Sequence, residues 1–240
     1  VSLLAVARLA KRFGGLQAVR DLTFDVAEGE IVALIGPNGA GKTTVFGMIS
    51  GFFAPDAGDI EFRGRSIVGL PPHRTCALGI ARTFQIMRPF PRLSVLRNVV
   101  IGALGRHADP GQAEARALDV LARVGLASRF QQPAGSLTLA DRKRLELARA
   151  VATEPALLLL DEVMSGLTAT ETERMVELVR AINAGGVTIL LIEHVMRAVM
   201  SLSQRIVVLN HGERIAAGRP EAVARDPRVI EAYLGEAEAG

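Results

Sequence analysis

Ile31-Val-Ala-Leu-Ile35-Gly36-Pro37-Asn38-Gly39-Ala40-Gly41-Lys42-Thr43-Thr44 decides how this chain is read. A short apolar run that ends in glycine suits a buried strand of a parallel sheet. The pattern G-x-x-x-x-G-K-[ST] follows at once, and a helical pattern covers residues 42–50. Strand, glycine-rich loop and helix in that order make a seat for an anion. The glycines let backbone N–H groups curl around phosphate oxygens, and the helix N-terminus favours their negative charge. Gly36, Pro37, Asn38, Gly39, Ala40 and Gly41 would form the cradle, with Lys42 reaching β- and γ-phosphates. Thr43 is a candidate Mg²⁺ ligand and Thr44 a donor to the α-phosphate, so the expected ligand is Mg-ATP.

Upstream, residues 1–9 and 18–26 alternate apolar and polar side chains, as half-buried strands do, with Phe13-Gly14-Gly15 as the turn. Residues 59–65 read as a further short strand broken at Gly64. From about residue 85 to residue 151 helix formers dominate, as over 112–124 and 139–152, and β-branched runs are scarce. The core then resumes: strands over 157–160 and 187–192, helices over 170–183 and after His194, and late strands over 206–209 and 214–217. Alternating strands and helices imply a mainly parallel sheet with ligands at the carboxyl ends of its strands. The expected fold is α/β, a P-loop NTPase core with a small antiparallel β subdomain and an inserted helical subdomain. In this reading residues 1–240 form one domain, with 1–84 and 152–240 as core and 85–151 as the helical part.

Leu157-Leu-Leu-Leu-Asp161-Glu162 sets two carboxylates at the end of a buried strand, where burial without a cation is costly. Asp161 is suited to hold Mg²⁺ through its water shell and Glu162 to polarise an attacking water. His194 ends the strand over 187–192 and is a candidate γ-phosphate contact, with a purely structural histidine as the other reading. Gln85 lies where core meets helical lobe and reads either as a Mg²⁺ or water contact or as a surface glutamine. Phe13 either stacks on adenine or packs in the core. His73, His107 and His211 sit in loop-like segments and read as solvated.

With 49% hydrophobic and 22% charged residues among 240, the chain can bury a core and does not resemble a disordered one. A net charge of +3 is too small for a phosphate-tracking surface, so no nucleic-acid partner is expected. The one cysteine, Cys76, excludes an internal disulfide and fits a reducing cytoplasm. No run approaches the roughly 18 apolar residues of a membrane span. The N-terminal residues lack the pattern of a signal peptide, so a membrane role is expected to act through a partner.

In order, these segments resemble the nucleotide-binding subunits of ABC transporters over nearly the whole chain. Residues 36–44 match the Walker A loop, 157–162 the Walker B strand with its glutamate, Gln85 the Q-loop and His194 the switch histidine. Phe13 falls where the family places its adenine-stacking aromatic. The resemblance implies that Lys42, Gln85, Glu162 and His194 serve ATP hydrolysis, with Thr43, Gln85 and Asp161 toward Mg²⁺. The family signature, usually Leu-Ser-Gly-Gly-Gln, falls on Leu137-Thr138-Leu139-Ala140-Asp141. Thr138 keeps the hydroxyl, side chains replace the glycines, and Asp141 adds negative charge near a γ-phosphate unless it is paired. Threonine also stands in Ser165-Gly-Leu-Thr168 where the family uses aspartate or asparagine.

Gly79-Ile-Ala-Arg-Thr-Phe-Gln85, Ile189-Leu-Leu-Ile-Glu-His194 and Val229-Ile-Glu-Ala-Tyr-Leu-Gly235 are similar to the ATPases of branched-chain amino-acid importers. That implies a peripheral subunit on the cytoplasmic face of the membrane, working with a second ATPase subunit, two permeases and an extracytoplasmic solute-binding protein. A complete Walker set beside an altered signature points to a heterodimer with unequal sites. Urea and amide importers, a lipid or lipopolysaccharide exporter, and an ABC ATPase acting on DNA or ribosomes are the competing readings. The last usually carries coiled coils, zinc modules or tandem cassettes, which this sequence lacks.

Overall fold

The computed structural model describes residues 2–84 and 89–237, with side chains described to residue 233; Gln85 lies outside them. The chain opens with β1 (Ser2–Phe13), β2 (Leu16–Ala27), β3 (Ile31–Ile35) and α1 (Lys42–Ile49). β4 (Ala57–Phe62), β5 (Arg65–Ser66), α2 (Pro72–Leu78) and β6 (Ile80–Arg82) follow. Three helices come next, α3 (Val95–Ala103), α4 (Pro110–Arg123) and α5 (Leu139–Val151). β7 (Leu157–Asp161), α6 (Ala169–Ala184), β8 (Thr188–Ile192) and α7 (Met196–Leu202) return to alternation, and β9 (Arg205–Asn210), β10 (Glu213–Gly218), α8 (Pro220–Val223) and α9 (Pro227–Ala237) finish the chain.

Among the described residues the strands form a four-stranded antiparallel sheet, β2-β1-β4-β5, and a six-stranded sheet, β10-β9-β3-β8-β7-β6. In the larger sheet every neighbouring pair is parallel except β9 with β10. β3, β7 and β8 are buried at every residue because both sheet faces are covered. Successive side chains point to opposite faces, so Ile31, Ala33, Ile35, Leu158 and Leu160 join one core. Val32, Leu34, Leu157 and Leu159 join the other, which packs toward α1 and the antiparallel sheet.

Helix α3 is an element the sequence reading lacks. It contains Val99-Val100-Ile101, a β-branched run with poor helix propensity. Burial overrides that preference: Val95, Leu96, Val99, Val100 and Ala103 face the core, and the Ser94 hydroxyl caps the helix by accepting from the Arg97 N–H at 3.2 Å. Gly102 permits close helix packing, since a Cβ there would stand 2.4 Å from the Arg149 carbonyl oxygen. Asn98, fully buried, accepts from the Phe90 N–H at 2.8 Å and donates to the Phe90 and Ser94 carbonyls, which fixes the approach to the helix.

Arg205 ties the two sheets together. Its guanidinium donates to Asp25 at 3.0 and 3.1 Å, to the Asp25 carbonyl at 2.7 Å, and to both Glu30 carboxylate oxygens at 2.9 Å. Hydrogen bonds from Arg205 hold the Asp25 carboxyl below its usual range. Arg205→Gln is expected to cost about 1–2 kcal/mol at neutral pH, read by urea unfolding. Because the Asp25 value is depressed, that stability is present above the ordinary aspartate range and is lost as pH falls through the folded value. The gap between variant and wild type should therefore narrow in acid.

Candidate functional site

The loop after β3 takes its shape from two glycines. A Cβ on Gly36 (φ +147) would lie 2.0 Å from the Leu209 carbonyl oxygen, and one on Gly41 (φ +101) 2.3 Å from that of Ala18. Gly39 also has positive φ, +76, but faces open space. Between them Pro37 and Ala40 are buried while Asn38 and Gly39 are exposed, and the Ala40 N–H donates to the Pro37 carbonyl at 3.2 Å. α1 begins at Lys42 with no side-chain cap and no acidic residue in its first turn. Its leading N–H groups and dipole therefore suit an anion. The Lys42 ammonium folds back over the loop and donates to the carbonyls of Gly36 at 2.6 Å and Pro37 at 2.7 Å. Thr43 is exposed and Thr44 half-buried on the first turn.

Acidic groups gather at the carboxyl ends of β7 and β8. Asp161 is 2% exposed, and its Oδ2 accepts from Arg82 Nη2 at 2.8 Å. Burial pushes the Asp161 carboxyl up, against the pull of the Arg82 hydrogen bond. Glu162 has φ +50; its N–H donates to the Ile192 carbonyl at 2.9 Å and its carbonyl accepts from Lys143 Nζ at 2.8 Å. His194 is exposed, with Nδ1 3.9 Å from Glu162 Oε2, so two residues read separately in the sequence lie side by side here. Glu193 is buried, accepts from the Met164 N–H at 2.7 Å through Oε1, and is raised by burial. Burial lowers Lys143, while the Glu193 and Glu162 charges oppose that shift.

Arg82, Lys143 and Glu193 are site residues the sequence reading did not single out. Arg82 lies inside the quoted Gly79–Gln85 segment, but its partner is far away in sequence and no local pattern announces the pair. Phe13 stands at the end of β1, half-exposed and edge-to-face with Phe53 at 5.5 Å, so it sits at the margin of the core with part of its ring open to solvent. Of the three histidines read as solvated loop residues, His73 lies exposed on α2 and His211 in the exposed turn after β9. His107 departs from that reading, because it is half-buried with Nε2 3.4 Å from Glu154.

Thr138 caps α5. Its hydroxyl oxygen accepts from the Asp141 N–H at 3.3 Å and its proton goes to Asp141 Oδ2 at 2.9 Å. Asp141 is buried and ion-paired with Arg129 at 2.6 Å and Arg144 at 3.7 Å, so its charge is compensated within the chain. Leu139, in a glycine position of the signature pattern, is exposed.

Among the described residues no three His, Cys, Asp or Glu side chains converge to hold a metal. A magnesium ion carried by nucleotide needs only a carboxylate and a hydroxyl from protein, with water and phosphate oxygens completing its shell. Asp161, whose buried carboxyl stands at the strand end, and Thr43 on the first turn of α1 are a donor set of that kind.

The loop, the acidic strand ends and the two-sheet core define an ATP-binding cassette. Residues 19–165 match the family model described as ABC transporter, and residues 213–239 that described as branched-chain amino acid ATP-binding cassette transporter. The chain is 44% identical to the high-affinity branched-chain amino acid transport ATP-binding protein LivG of Salmonella typhimurium, over 98% of both chains. It is 40% identical to the corresponding protein BraF of Pseudomonas aeruginosa, again over 98% of both. The solved ADP conformation of an ATP-binding cassette of an ABC transporter superposes with a TM-score of 0.90 at 29% identity, covering 98% of this chain and 99% of that one. The chain belongs to the ATP-binding subunits of ABC transporters, and it is an ATPase.

The two kinds of loop glycine give a direct check. Gly36→Ala is expected to destabilise the fold by about 3 kcal/mol and to abolish ATP binding, because a backbone oxygen blocks the new methyl. Gly39→Ala should cost only about 1 kcal/mol, from its positive φ. Thermal unfolding alongside nucleotide titration separates the two.

Proposed function

We propose that this chain is the ATP-hydrolysing subunit of an importer that takes up branched-chain amino acids. The observation that carries the reading is the likeness to LivG and BraF along nearly the full chain, including the C-terminal segment that has its own family model. The C-terminal likeness also favours import over the exporter and nucleic-acid readings.

In this proposal the backbone of residues 36–41 and the α1 N-terminus bind the phosphates, and Phe13 stacks on adenine. Lys42 exchanges its two carbonyl partners for phosphate oxygens. Thr43, Asp161 and Gln85, the last outside the described residues, hold Mg²⁺, whose charge offsets that of the phosphates when bound. Glu162 accepts a proton from the attacking water, and His194, beside it at the exposed edge, contacts the terminal phosphate.

Among the described residues no helix is long and apolar enough to cross a membrane, so permease partners carry the solute. Phe52, Phe84, Ile101 and Phe90 are exposed, the first three around a cavity of about 250 Å³, and give an apolar surface for such a partner. We place the subunit on the cytoplasmic face, with a second ATPase subunit and an extracytoplasmic solute-binding protein completing the system. Thr138 and Asp141 support unequal sites. The α5 N-terminus already holds a carboxylate of its own chain, so it has less to offer a partner's nucleotide.

In the reconstituted transporter, Glu162→Gln is expected to lower ATP-driven uptake of radiolabelled leucine about a hundredfold while nucleotide still binds. Uptake at the wild-type rate would refute the catalytic assignment. Asp141→Gln should raise turnover severalfold if the internal carboxylate weakens the second site, and an unchanged or lower rate would count against unequal sites.

A further inference from the structure

Arg82 occupies a position built for a guanidinium. It ends β6, the edge strand beside β7, and its side chain is 10% exposed. Nη2 donates to Asp161 Oδ2 at 2.8 Å, and Nη1 to the Ser50 hydroxyl, just beyond α1, at 3.3 Å. The guanidinium carbon lies 5.6 Å from the centroid of Phe46, 5.8 Å from Phe52 and 5.3 Å from Phe84. Its neighbour Thr83 holds the same strand end through the backbone, since the Thr83 hydroxyl accepts from the Asp161 N–H at 3.1 Å. A guanidinium flanked by aromatic rings is held in place while one N–H grips Oδ2 and another the Ser50 hydroxyl, two fixed directions that a lysine ammonium does not offer together.

We infer that Arg82 is a positioning residue for nucleotide-bound magnesium: it orients Asp161 by engaging Oδ2 and ties that carboxylate to α1 and to the exposed rings of Phe52 and Phe84. The inference rests on the reading of Asp161 as a Mg²⁺ ligand and adds a residue that touches neither metal nor nucleotide. Partners that orient metal-binding groups in this way typically change metal affinity by about 10–100-fold when removed. Arg82 meets α1 at Phe46, in its C-terminal half, and at Ser50 just beyond it, whereas the phosphate seat is at its N-terminus, so the metal-free affinity for nucleotide should depend little on Arg82.

The test is equilibrium binding of a fluorescent ATP analogue to the full chain, in excess EDTA and in excess Mg²⁺. Wild type, Arg82→Gln, Arg82→Lys and Asp161→Asn are compared. Arg82→Gln is expected to bind as wild type in EDTA and to lose the gain in affinity that Mg²⁺ confers, by about tenfold or more. Arg82→Lys should recover part of that gain. The EDTA arm also reports folding, and if Arg82→Gln does not fold, the same comparison is made with Arg82→Lys. A wild-type Mg²⁺ gain in both Arg82 variants, while Asp161→Asn loses it, would overturn the role of Arg82 alone. Equal losses with and without Mg²⁺ would assign Arg82 to the fold rather than to the metal. A Mg²⁺ gain that survives in Asp161→Asn would overturn the metal reading of Asp161 itself.

Discussion

Three carboxylates crowd the ends of two adjacent parallel strands, and the arrangement around them follows from compensating that charge. Asp161 ends β7, Glu162 follows it and Glu193 follows β8, with Asp161 directly opposite Ile192 in the ladder. Asp161 and Glu193 are buried, where an ionised carboxylate without a partner is costly. The nearby cations come from separate parts of the chain. Arg82 reaches across from β6, Lys143 from α5, and Lys42 from the start of α1 acts on Asp161 through space. Each is occupied at least partly by protein groups, and Lys42 spends two hydrogen bonds on loop carbonyls. In the proposed function an incoming polyphosphate offers Lys42 a stronger set of partners and its metal offers Asp161 one, while Arg82 and Lys143 keep their protein partners. The same charges thus hold the site together and make it responsive to nucleotide.

Lys143 gives that responsiveness a mechanical side. It belongs to the helix that begins at the altered signature, yet its ammonium binds the backbone carbonyl of Glu162. Glu162 sits at φ +50, a conformation that persists only when its surroundings enforce it. The bonds from Lys143 and to Ile192 supply that enforcement. Any shift of α5 relative to β7 is felt at the residue proposed to activate water.

Much of the architecture was legible because its signals are local. The loop glycines, the apolar strand over 31–35 and the acid pair at 161–162 each carry their meaning within a few residues. α3 was not legible, because Val99-Val100-Ile101 disfavours helix locally and only packing against α4 and α5 reverses that. The two-glycine turn after Phe13 was visible, but the half-exposed stance of Phe13 against Phe53 depends on a residue about forty positions away. Asp141 shows the same limit. Its position in the signature pattern and its i,i+3 spacing to Arg144 were plain, while its pairing with Arg129 depends on how the turn before α5 folds back. The site residues that were missed, Arg82, Lys143 and Glu193, are all defined by partners on other elements.

The most direct measurement of the central claim is the affinity of the full chain for Mg-ATP with Lys42 intact and with Lys42→Ala. If the loop after β3 is the phosphate seat, removing the ammonium should weaken binding by at least tenfold while leaving the thermal midpoint close to that of wild type, since the Gly36 and Pro37 carbonyls it holds belong to its own loop. Equal affinity in the two proteins would place the nucleotide elsewhere and contradict the account at its root.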